Sequence, residues 1–174
     1  MWSDRTNEPQ RITPIRCLAA KLAAVQGRPD EALHHLGAAR ENQRGRLSAG
    51  FAWELGLTAP RVMKRLGAGD ELEALWNEMR DELSPNEASG LQPAAAAALC
   101  QGVVASHHGR TDEALGALRR MVELEQRRQA PYDEACARLD LADALEAAGQ
   151  KDAAGTEREA AGQVLRPLGV VNPL

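Results

Sequence analysis

Aromatic side chains are nearly missing from this chain: of 174 residues, three are Trp, one is Tyr and one is Phe. Without them, and with few β-branched residues, there is little to build the half-buried surface of a sheet. Cysteine is also scarce. Cys17, Cys100 and Cys136 are odd in number and far apart, and no Cys-x-x-Cys or Cys/His ligand spacing supports a zinc site. An excess of positive charge is absent as well. The net charge is −4, whereas broad nucleic-acid binding needs a positive field to neutralise phosphates. The longest weakly polar run, Pro93 to Ala105, contains Gln101 and is too short to span a bilayer. The segment from Met1 to Pro9 is polar and lacks the apolar core of a signal peptide. These absences predict a soluble, cytoplasmic protein with reduced cysteines in its core.

What is present is alanine, 32 residues of it. With Leu, Arg, Glu and Gln it favours helix nearly throughout. Four glycines, Gly27, Gly69, Gly109 and Gly149, recur at intervals of 42, 40 and 40 residues. Each follows an Ala-rich helical stretch, and five residues after each comes an alanine: Ala32, Ala74, Ala114 and Ala154. Self-similarity at such a period is the signature of a repeat architecture. The expected fold is all-α, an antiparallel helix-hairpin array of about eight helices in one domain over 1–174, with four units at 13–45, 46–90, 91–130 and 131–169.

Local signals place the elements. Thr13-Pro14 reads as an N-cap and first helical residue, after which Ile15, Leu18, Ala19, Leu22 and Val25 recur at helical spacing until Gly27 ends the element. The second helix is expected to bury Ala32, Leu33, Leu36 and Ala39. In the second unit, Leu47 to Leu57 reads as helix and Pro60 predicts a kink or break. Leu72, Leu75, Trp76 and Met79 share one face of the following helix. Ser84 to Gly90 reads as a short extra turn, and Gly169 to Leu174 as a frayed end. Arg119, Glu123 and Arg127 stand at ion-pair spacing on a solvated face.

With the hairpins aligned, Gly-Arg-Pro-Asp-Glu-Ala-Leu at 27–33, Gly-Arg-Thr-Asp-Glu-Ala-Leu at 109–115 and Gly-Gln-Lys-Asp-Ala-Ala at 149–154 resemble the turn of tetratricopeptide repeats. In that family a small residue of the first helix, matched here by Ala20, Gly102 and Ala142, accepts the alanine of the second, here Ala32, Ala114 and Ala154. Two helices cannot cross closely if both present bulk at the contact. The second unit departs from the pattern with Val62. The period exceeds the family's usual one and overlaps that of HEAT and armadillo arrays, which stay open as a structural alternative. The stretch from Pro131-Tyr132-Asp133-Glu134-Ala135 to Leu168-Gly169 is similar to the C-terminal α-solenoid of large bacterial regulators, among them cyclase-linked ATPase regulators and ATP-binding LuxR-type activators. Their P-loop is not matched: Gly67-Ala68-Gly69-Asp70 lacks the lysine and Ser/Thr that hold phosphate and magnesium.

Catalytic chemistry finds no foothold. His34-His35 and His107-His108 are adjacent pairs, and neighbours on a helix point about 100° apart, so neither pair chelates from one face. Asp140 with Asp143, and Glu157 with Glu159, lie on charge-rich helical faces. No GxSxG, HExxH or Cys-centred nucleophile pattern occurs. No enzyme activity, cofactor or metal is expected.

The tetratricopeptide resemblance instead implies a concave groove, lined by Cys17, Lys21 and Ala24 in the first unit, Leu99, Val103 and Ser106 in the third, and Leu139, Asp143 and Glu146 in the fourth. Lys21 is the one cation among them, so the basic clamp for a C-terminal carboxylate is not matched, and a helical or apolar peptide fits better. The function so implied is a non-catalytic protein–protein interaction or scaffolding module in a bacterial signalling or transcription system, binding a protein, a peptide or another domain of a parent regulator. The alternative is the effector-sensing C-terminal part of a nucleotide-dependent transcriptional or cyclase regulator. Self-association is expected where a terminal helix lacks a polar face, while the last helix, Asp152 to Leu165, reads as a polar cap. Direct contact with nucleic acid or membrane is not expected.

Overall fold

The structure, a computed structural model, describes residues 9–44, 52–83, 87, 90–170 and 173. Among the described residues there are eight α-helices and no strand: α1 (Pro9–Val25), α2 (Pro29–Gln43), α3 (Ala52–Leu66), α4 (Gly69–Met79), α5 (Leu91–His107), α6 (Thr111–Arg127), α7 (Pro131–Ala147) and α8 (Lys151–Leu165). The all-α hairpin organisation expected from composition and periodicity is therefore present. The chain divides into two compact units, Met1–Leu83 and Ser84–Leu174. In the first, α1 pairs with α2, α3 packs on both, and α4 folds back on α3. In the second, α5 pairs with α6, α7 packs on α6, and α8 folds back on α7.

One turn is used four times. Gly27, Gly67, Gly109 and Gly149 have φ of 70°, 70°, 67° and 76°, a left-handed conformation that costs glycine nothing. The residue after each donates its amide to the carbonyl five positions back, Arg28 to Ala23, Ala68 to Met63, Arg110 to Ala105 and Gln150 to Leu145, all at 2.9 Å. This closes the first helix as a Schellman motif. The carbonyl of that same residue then accepts the amide four positions on, from Ala32, Leu72, Ala114 and Ala154, and so opens the second helix. Both helices are thereby phased from one residue.

The second turn corrects the sequence reading. Its glycine is Gly67, and Gly69 is already the first residue of α4. Ala74 is exposed, and buried Leu72 takes the place expected for an alanine. The position seven before the glycine is then Pro60, also buried. Leucine and proline replace two small residues at this crossing, and α3 and α4 approach each other over a shorter stretch than the other pairs. In the remaining hairpins Ala20, Ala32, Gly102, Ala114, Ala142 and Ala154 are all buried. At Gly102 the approach leaves no room for a side chain: a Cβ would stand 2.6 Å from Leu118 Cγ and 3.5 Å from the Ala114 carbonyl oxygen.

Other boundaries also shift. α1 begins at Pro9, so Thr13 is a buried interior residue and Pro14 lies inside the helix. α3 runs unbroken through Pro60; the residue four before it, whose carbonyl a proline ring crowds in a helix, is Gly56. In α2, Ala32, Leu36 and Ala39 are buried as expected and Leu33 is half-buried. On α4 the buried pair is Leu72 and Met79, with Leu75 and Trp76 half-buried. Residues 47–51 and most of the Ser84 to Gly90 turn lie outside the described residues. The end expected to fray does not do so through Val170: Arg166–Leu168 forms a 3-10 turn, and the Val170 amide donates to the Leu165 carbonyl at 3.1 Å. Val170 packs against a cluster of Ala135, Ala161 and Leu165.

Arginines fasten elements that are distant in sequence. Buried Arg40 of α2 donates from Nε to Glu78 Oε2 (3.3 Å), from Nη1 to Glu82 Oε1 (3.0 Å) and from Nη2 to the Glu78 carbonyl (3.1 Å). Arg44 adds a bond to Glu78 Oε2 at 2.7 Å. In the second unit, Arg127 grips Glu87 with two bonds of 2.7 Å, and Arg120 reaches the same carboxylate at 3.3 Å. The face read as merely solvated thus also holds Glu87.

Two predictions follow from this geometry. Gly67→Ala should cost about 1 kcal/mol, because its Cβ meets nothing within 4 Å and only the left-handed backbone is penalised. Gly69→Ala should raise stability by about 0.5 kcal/mol or less. Urea midpoints separate the two, and the reverse order would restore Gly69 as the turn. At the clamp, hydrogen bonding from Arg44 holds the Glu78 carboxyl below its ordinary value, with Arg40 adding and partial burial opposing. A lowered folded-state pKa contributes stability above the unfolded value and loses it as pH falls. Glu78→Gln should therefore unfold at lower urea than the parent at pH 7, with the gap closing between about pH 5 and pH 3.

Candidate functional site

α1 sorts its residues by size. Small Cys17, Ala20, Ala23 and Ala24 are buried with Thr13, whereas bulky Ile15, Leu18, Leu22 and Val25 are 54%, 68%, 54% and 55% exposed. Four of the six exposed large hydrophobics among the described residues thus lie on this one helix, the others being Tyr132 and Leu168. Spaced three, four and three residues apart, they form a single stripe about 15 Å long. The periodicity is legible in the sequence but its direction is not: the stripe faces outward. Close helix crossing selects for small side chains, so the alanine face turns inward against α2 and α3.

Counting from each turn glycine shows what is unusual. Ile15, Leu18 and Leu22 stand twelve, nine and five residues before Gly27; the same positions on α3 are Leu55, Thr58 and Val62, all buried. On α7 they are Ala137 and Asp140, buried, and Ala144, half-buried. α3 packs this face on the preceding hairpin, as the side-chain hydrogen bond between Cys17 and Thr58 shows. On α7 the residues tied to α8, among them Arg138, Asp143 and Glu146, lie on the opposite side, which leaves this face to α6. Only α1, of these three helices, presents it to solvent.

Charged groups of both signs stand on either side of α1. Arg16 Nη1 lies 3.1 Å from His35 Nδ1 on the α2 side, and His35 is 3.7 Å from Glu31. Lys21 flanks the α3 side, where it attracts Glu54, whose carboxyl is nonetheless raised by burial. α1 itself carries no carboxylate.

The residues expected to line a groove are placed differently. Cys17 and Ala24, and on α5 Leu99 and Val103, are buried and offer no surface. Burial pushes the Cys17 and Cys100 thiols up to about 12, so neither is a nucleophile near neutrality. Lys21 is half-buried, and exposed Ser106 donates its hydroxyl to the Gly102 carbonyl at 2.9 Å. Leu139 packs against the Ala135, Ala161 and Leu165 cluster. Asp143 and Glu146 are exposed, and both accept from Arg158 of α8. The three α7 residues therefore serve the hairpin contact with α8.

Sequence reasoning also misses a cleft of about 380 Å³ in the second unit, lined by Leu139, Arg158, Gly162, Leu165, Arg166, Gly169 and Val170. Both of its guanidinium groups are engaged, Arg158 as above and Arg166 with Glu159 at 2.8 Å. Among the described residues no three His, Cys, Asp or Glu side chains converge as metal ligands, and no helix is long and apolar enough to cross a membrane. No protein-family model, curated protein or solved structure matches the chain.

Proposed function

We propose that this chain is a non-catalytic protein-interaction module of tetratricopeptide-like hairpins, acting as a scaffold in a bacterial signalling or transcription system, and that the outer face of α1 is its contact surface. The observation that carries this reading is the exposed stripe of Ile15, Leu18, Leu22 and Val25. Contiguous apolar surface of this kind, bounded by polar residues, marks interaction sites in folded proteins. The alternative, an effector-sensing part of a nucleotide-dependent regulator, would use the cleft around Leu139 and Gly162. It is the weaker reading, because the arginines that would recognise an anionic effector already hold carboxylates.

A photo-crosslinking side chain at position 18 tests the reading against the same group at exposed Gln163 on α8. The expected result is a discrete protein adduct from position 18 alone, abolished by Leu22→Glu. Because Leu22 is exposed, that variant should keep its urea midpoint within about 0.5 kcal/mol of the parent. Identical adducts from both positions, or none from position 18, would remove α1 as the contact surface.

A further inference from the structure

We draw no further inference here: the strongest candidate, the cleft in the last hairpin lined by Leu139, Gly162, Leu165 and Val170, carries nothing because its two guanidinium groups, Arg158 and Arg166, are already held by carboxylates and nothing in the structure shows what would occupy it.

Discussion

Each hairpin depends on a single left-handed residue. With φ near +70° at Gly27, Gly67, Gly109 and Gly149, the following residue closes one helix with its amide and opens the next with its carbonyl. Nothing between the two helices is then free to slip. The residue seven before the glycine and the residue five after it are brought to one crossing, and what stands there decides how closely the helices approach. Two alanines, or glycine and alanine, stand there in three hairpins; in the second, with Pro60 and Leu72 at these positions, α4 is only 11 residues long and meets α3 over a shorter stretch. Turn and crossing are one constraint, since a shift of the glycine moves both.

The same constraint explains why α1 has an apolar exterior. A helix rich in alanine can bury its small face only where a neighbour comes near, so Cys17, Ala20, Ala23 and Ala24 take the inside and the larger side chains are left on the other side. In α3 and α7 that second face is covered by the hairpin before, so it too is buried. For α1 no described element covers it, and the outcome is an exposed apolar stripe. On the function proposed above, this exposed stripe is the contact surface. The last hairpin differs, for α8 carries Gly155, Arg158 and Gly162 where α6 carries large apolar residues.

Helix content, the hairpin period and the small-residue crossings are legible in the sequence because they rest on composition and on spacing along one chain. Gly102 and Ala114 pair by spacing alone, and they meet. Choosing Gly69 over Gly67 fails because two glycines two residues apart both satisfy the period; only the φ angle tells them apart. The direction of the Ile15, Leu18, Leu22 and Val25 stripe fails because periodicity reports that a helix has two faces without reporting which one has a neighbour. A signal is nonetheless present: the face opposite the stripe holds the small residues that a close crossing requires. The ion pairs of Asp143 and Glu146 with Arg158 are not legible in the sequence, because they join α7 to α8 across the turn at Gly149.

The central claim is that one register position is covered in a later helix and open in the first. Leu22 and Val62 occupy that position, each five residues before its turn glycine, one 54% exposed and the other 0%. Cysteine placed at each, with native Cys17, Cys100 and Cys136 buried as internal controls, can be followed by its rate of thiol labelling in the folded protein. The account predicts that Cys at 22 labels like an unprotected thiol while Cys at 62 is slower by at least about a hundredfold, being reached only by opening of the fold. Equal protection at both positions would mean that the chain covers α1 itself, and the account would fail.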